Sequence, residues 1–254
     1  MRQLSAQNGY STSTIRHMIE HWLLHPPYNT RDLSAHRYLI FDGTSFEQRR
    51  GIFAVMDAES FSVLYGAYNV SERSSDLHRF CSSLAQCELS PKSATVDGNQ
   101  HLIKILRMLW PEIIIQRCLV HIQRQGLMWC RRNPKRTDAK HLRKLFLQVI
   151  SIQTEADRDF FLAQVNEWEQ QYGHRIASSP ETGWIFSDLK RARSMLITAL
   201  PDMFHYLYDP DIPKSTNGLE GYFARLKQKY WQHRGLAKRH RHSYFTGYLH
   251  LCPR

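Results

Sequence analysis

The segments between Arg37 and Cys130 constrain the fold of this chain more than any other part. "RYLIFDGTSF" is apolar, β-branched or aromatic around a single Asp, and "RGIFAVMDAESFSVLYGAYNV" reads as two strands joined at Asp57–Ser60, a hairpin. "SSDLHRFCSSLAQ" carries Leu77, Phe80 and Leu84 at helical spacing, with Ser75 or Asp76 as its cap. "KSATVDG" is a short strand, and "NQHLIKILRMLWP" a helix stopped by Pro111. "EIIIQRCLVH" is a buried strand, and "HIQRQGLMWCRR" starts another helix. The order β-β-β-α-β-α-β-α places three antiparallel strands before strands that alternate with helices. It predicts an α/β fold, a mixed sheet with helices on both faces.

The flanks read differently. Residues 131–204 show helical spacing (Leu142, Leu145, Phe146, Val149; Phe160, Phe161, Val165, Trp168) and no convincing strand, so an all-helical insertion is expected before the final helix. Residues 4–24 read as a partial helix-turn-helix, with a short helix over Leu4–Asn8, a turn at Gly9, and a second helix from "STSTIRHMIEHWLL". Ile15, Met18, Ile19 and Trp22 would pack inward. Thr12, Ser13, Arg16 and His17 would face out, where a recognition helix meets base edges and phosphates. An ordinary amphipathic helix fits the same pattern equally well. "HPPYNTRDLSAH" then breaks the helix as a linker. Four regions result: 1–30, the helix-turn-helix piece; 36–130, the first part of the core; 131–204, the insertion; 205–254, a last helix and a basic C-terminal segment.

Composition bears on partners. The 254 residues carry a formal charge of +11 and a pI near 9.6, which favours a polyanion: nucleic acid, or with less support an anionic membrane surface. The excess gathers in Arg131–Lys144, with seven Lys/Arg against Asp138, and after Ile212, where Glu220 is the only acid. Basic surfaces that are merely solvated remain a competing reading. Hydrophobic content of 42% and mean hydropathy of −0.49 suit a soluble globular chain. No apolar run approaches a membrane span and the N-terminus lacks a signal-peptide core, so the cytosol is the expected compartment. Five cysteines without regular spacing are not a secreted disulfide framework, and reduced thiols are expected.

The chemistry-bearing residues are carboxylates in unexpected places. Asp42 shares a strand face with Tyr38 and Ile40, and an acid inside an apolar strand is costly unless paired or bound to a cation. Asp97 ends "ATVDG", where open α/β sheets place ligands. Each is followed by Gly, which permits close approach. Two carboxylates on adjacent strands are the minimum for a hard divalent ion such as Mg²⁺. Taken singly, each also reads as a turn residue. Glu220 has a rival role as well, because Asn217-x-x-Glu220 is a capping-box spacing. The helix it opens carries Leu219, Phe223, Leu226 and Tyr230 on one face, with Glu220 on the flank.

Together "FDGT" (Asp42), "TVDGNQ" (Asp97), "QRCLVHIQR" (Cys118, His121), "STNGLEGYFARLK" (Glu220) and "HRGL" (His233–Leu236) make the chain, over about residues 36–250, resemble the DDE transposases of bacterial insertion sequences, specifically the Mutator-like group. The resemblance implies a ribonuclease-H-like catalytic core with a mixed five-stranded sheet, and Asp42, Asp97 and Glu220 as the triad holding two Mg²⁺ or Mn²⁺ ions. The activity implied is cleavage at transposon ends and direct transfer of the 3′-OH into target DNA, with no covalent protein–DNA intermediate. Cys118 and His121 supply two ligands where structural zinc needs four, and Cys130 does not complete a metal-like spacing, so zinc is not expected. His121 is instead expected near the catalytic pocket, with Cys118 packed beneath the sheet. Asn217 is expected beside the DNA. Contacts to DNA are assigned to Arg16, His17, Arg131, Arg132, Arg225, Lys227, Arg234, Lys238 and Arg239, with salt-dependent binding. Double-stranded DNA, at transposon ends and target, is the implied partner. Synapsis of two ends implies a homodimer or larger assembly, and the implied setting is the bacterial cytoplasm, at the nucleoid.

Two other readings stay open. An N-terminally truncated or domesticated transposase-derived DNA-binding protein without activity fits the short segment ahead of the core. A metal-dependent nuclease would use the same fold and carboxylates.

Overall fold

A computed structural model describes residues 1–25, 32–47, 50–232 and 236–254. The linker over 26–31 and most of "HRGL", with Arg234, lie outside the described residues. The chain divides into two compact units, Met1–Ser90 with Asn217–Arg254, and Pro91–Thr216. Five strands are described, three antiparallel in the first unit and two parallel in the second, and helices make up most of the remaining chain.

The first unit is built on β1 (Tyr38–Glu47), β2 (Arg50–Asp57) and β3 (Val63–Val70), in the order β3-β2-β1. Asp57 closes the β2–β3 turn. Its Oδ2 accepts from the Ser60 amide at 2.8 Å and hydroxyl at 2.6 Å, and His36 lies 3.1 Å from its Oδ1. The register sets Ile40 opposite Met56 and Asp42 opposite Ala54. One face therefore carries Ile40, Ala54, Met56 and Ile52, buried against Leu219, Phe223 and Leu226 of α10 (Asn217–Gln232) and Phe245 and Leu249 of α11 (Arg241–Leu251). On the other face Phe53 meets Phe80 of α3 (Ser74–Gln86) edge to face at 5.0 Å. Leu77, Phe80 and Leu84 are buried as their spacing requires. The cap of α3 is Arg73, however, and Asp76 reaches back instead to the amide and hydroxyl of Ser71.

The N-terminal pair departs from the helix-turn-helix expectation. Helices α1 (Arg2–Asn8) and α2 (Thr12–Leu24) are joined through Gly9 in the left-handed region, and Ser11 caps α2 by accepting from the Thr14 amide. Only Ile15 of the predicted inward stripe is buried; Met18 and Ile19 are exposed and Trp22 is 62% exposed. The reason is local. Helix α1 is two turns long and buries no side chain, so α2 has little beyond α11 to pack against. Arg16 and His17 are exposed, as is the rest of their face.

The second unit pairs β4 (Ser93–Val96) with β5 (Ile114–Arg117) in parallel. Between them runs α4 (Gln100–Leu109), capped by the Asn99 side chain accepting two amides. Helix α5 (Leu119–Cys130) begins one residue after β5, with Cys118 as its cap, and earlier than its sequence signal. The insertion holds helices and no strand among its described residues: α6 (Thr137–Gln148), α7 (Glu155–Trp168), a π-helical turn over Glu169–Gly173, α8 (His174–Ser178) and α9 (Trp184–Ala199). Leu142, Leu145, Phe146, Val149, Phe161, Val165 and Trp168 share one core with α5 and α9. Phe160 does not join them and is 66% exposed, because neighbouring Phe161 takes the inward position.

Gly126 of α5 faces Phe146 of α6, and a Cβ there would clash with the Phe146 ring. Gly126→Ala should therefore cost about 1–3 kcal/mol by overpacking, although Ala is the better helix former. Urea unfolding checks this, and an unchanged midpoint would show that the two helices are not held at this distance. No helix among the described residues is long and apolar enough to cross a membrane.

Candidate active site

In the first unit the pleat of β1 turns Asp42 onto the face that α10 covers, at the end of the row begun by Ile40. Asp42 is 7% exposed, and its Oδ1 accepts the Gly43 amide at 2.8 Å. Helix α10 starts at Asn217, so Asn217 is already helical and exposed, and Glu220 stands one position beyond the N3 place that a capping box requires. Its apolar stripe of Leu219, Phe223 and Leu226 fixes the helix on the sheet, and Glu220, half-buried, falls on the flank beside Asp42. Carboxylate oxygens of Asp42 and Glu220 come within 4.8 Å of each other. Two carboxylates so close, out of bulk water, repel unless a proton or a cation is shared between them. A pair of this kind could hold a metal ion.

In the second unit Asp97 follows β4, and its Oδ1 accepts the Asn99 amide at 3.0 Å, so the turn role read from "DG" is real. Gly98 is required there for two reasons. Its φ is +108°, and a Cβ would strike the guanidinium of Arg117. Arg117 is only 4% exposed, its Nη2 lies 3.5 Å from the Asp97 carbonyl, and its Nε has no hydrogen-bond partner. Burial pushes its guanidinium below the usual arginine range, and the charges of Asp97 and Asp202 pull it back. The apolar run "EIIIQRC" hid this arginine from sequence reasoning.

Cys118 and His121 form a small cluster with Thr216. The Cys118 thiol is fully buried, with His121 Nδ1 at 3.2 Å, the Thr216 amide donating at 3.3 Å, and the Thr216 hydroxyl 3.3 Å from His121 Nδ1. Burial raises the Cys118 thiol above its ordinary value, against the pull of these hydrogen bonds, so it stays protonated at neutral pH. Thr216, which the sequence did not single out, orients the imidazole by occupying its Nδ1 side.

The cationic residues fall into groups. Arg132, Arg225, Lys238 and Arg239 are exposed. Lys227 is half-buried with its ammonium 5.5 Å from the Phe46 ring, and the Arg225 guanidinium lies 5.9 Å from the Tyr222 ring. Arg131 is bound at 2.6 Å to Asp188 and so is more than a loose phosphate contact. No protein-family model matches this chain, and no curated protein matches it.

Proposed function

We propose that the protein is a divalent-metal-dependent DNA transposase of the DDE type. In this reading the three antiparallel strands and the two parallel strands belong to a ribonuclease-H-like core. The resemblance assigns metal binding to Asp42, Asp97 and Glu220, and gives His121 the part of a further ligand or of a group orienting the DNA. The observation that carries the reading is the pair of carboxylates, one from mid-strand and one from the helix that covers that strand, with oxygens within 4.8 Å. Bound there, Mg²⁺ or Mn²⁺ would polarise the scissile phosphate and activate water. The chain's own residues supply the rest. Asp42 and Glu220 concentrate negative charge at one point of a basic protein, and Arg117 and Gly98 set the turn that presents Asp97. The exposed cations of the C-terminal segment engage phosphates.

Water would cleave the phosphodiester at an element end and release a 3′-OH. That hydroxyl would attack a target phosphodiester in line, so one bond forms as one breaks and no protein nucleophile is needed. Double-stranded DNA at two element ends makes the working form a dimer or larger, at the bacterial nucleoid. The test is incubation with Mg²⁺ or Mn²⁺, labelled element ends and a plasmid target. Joined products are expected. Cleavage without joining would make the protein a nuclease, and intact DNA would leave only a DNA-binding role.

A further inference from the structure

Helix α2 ends on two imidazoles one turn apart, His21 in its last turn and His25 as its C-cap, and both are exposed. Their rings stack, with centroids 4.6 Å apart and planes inclined by 31°. The His21 ring also stands edge-on to Trp22 at 5.6 Å. The His25 amide donates to the His21 carbonyl at 2.9 Å, and the His25 ring Nδ1 lies 3.0 Å from that same oxygen. His17 precedes the pair by a further turn, at the same spacing of four residues.

A carbonyl oxygen can only accept, so Nδ1 of His25 carries a proton and donates it to the His21 carbonyl. The neutral ring then holds its lone pair on Nε2. A backbone carbonyl fixes the tautomer of metal-ligating histidines in this way, and makes the free nitrogen a better donor. Capping the helix uses one nitrogen of His25 and leaves the other unassigned. Packing does not explain the pair either, because Ile15 is the residue that α2 buries and the last turn buries none. Two imidazoles four residues apart on one helical face are a chelating arrangement.

We infer that His21 and His25 together bind a transition-metal ion, Zn²⁺, Ni²⁺ or Cu²⁺, with water in the remaining positions. Imidazole nitrogen suits these ions, whereas Mg²⁺ and Ca²⁺ take oxygen ligands. A phosphate is the weaker occupant, since it needs charged rings and two imidazolium ions this close repel. Bound metal would tie residue 21 to residue 25 and clamp a helix end that no core holds. The site is separate from the Asp42–Glu220 pair and does not depend on the proposed function.

The test is calorimetric titration of Ni²⁺ into the full chain in excess Mg²⁺. His25→Asn removes the imidazole, yet its side-chain amide can still donate to the His21 carbonyl, so the helix end is kept. It should weaken the tightest Ni²⁺ event by about 10–100-fold or more, the loss of a ligand costing at least what loss of an outer partner costs. His21→Gln should match it. Asp42→Asn should leave Ni²⁺ affinity unchanged, which separates this site from the carboxylate pair. Both histidines are exposed, so the melting temperatures without metal should equal the parent's. Equal Ni²⁺ affinity in the parent and both histidine variants would overturn the inference. Loss in His21→Gln alone would overturn it too, because the second ligand would then not be His25.

Discussion

Asp42→Asn is expected to lower DNA cleavage and joining by about 10²–10³-fold or more, while affinity for DNA stays within about twofold. The variant is a clean one because an Asn Oδ1 can still accept the Gly43 amide that Asp42 accepts at 2.8 Å, so β1 keeps its local bonding. What is lost is one negative charge beside Glu220, and with it half of the oxygen pair that a divalent ion needs. Glu220→Gln should match it, since helix α10 is held by Leu219, Phe223 and Leu226 rather than by the carboxylate. The double variant should be no worse than either single one, because residues that share one ion fail as a unit. Gel analysis of joined products beside anisotropy of duplex binding checks both halves. Activity within tenfold of the parent in either variant would remove that carboxylate from the metal centre.

The second large effect is on stability. Asp138 is 3% exposed at the start of α6, where its oxygens accept Arg136 Nε at 3.1 Å, Arg136 Nη2 at 2.8 Å and the Ala139 amide at 2.7 Å. Burial pushes the carboxyl up, but the Arg136 fork, the Ala139 amide and the charges of Arg136 and Arg175 together outweigh it and hold the group below its ordinary value. Asp138→Ala should cost about 1–3 kcal/mol, since it leaves the Ala139 amide without its buried acceptor and the Arg136 guanidinium with Glu181, at 2.7 Å, as its remaining ion-pair partner. The sign of the pH dependence follows from the depressed value. The stabilisation is fully present above the ordinary carboxyl range and is lost as pH falls through the lower folded value. The gap between parent and variant in unfolding free energy should therefore hold from neutral pH down to about 4 and close below it. A gap that persists undiminished into strong acid would mean that packing, not charge, is what Asp138 contributes.

Periodicity carried the fold because it is a local property. Alternation in "RYLIFDGTSF" and "RGIFAVMDAESF" placed both strands and the Asp57 turn, and the apolar stripe of α10 was readable for the same reason. Misreadings came where the outcome depended on what lies opposite. Trp22 and Phe160 sit at apolar helical positions, but a two-turn α1 cannot cover one and Phe161 displaces the other. Glu220 read as a cap because the spacing from Asn217 is correct, yet the helix starts at Asn217 itself, a boundary that spacing does not define. Of the site, Asp42 was legible from the cost of an acid in an apolar strand. Arg117 was not, because its burial becomes affordable only beside Gly98 and Asp97, residues about twenty positions away. The positive φ of +65° at Arg131 is likewise invisible in a chain of letters.

The claim on which the rest depends is that Asp42 and Glu220 share a divalent ion. Titration of Mn²⁺ followed by electron paramagnetic resonance, on the parent protein and on Asp42→Asn and Glu220→Gln, tests it without DNA, element ends or activity. The parent should take up Mn²⁺, with Mg²⁺ competing for the same place, and each variant should lose that uptake. Equal Mn²⁺ binding in all three proteins would contradict the assignment, and with it the proposed chemistry.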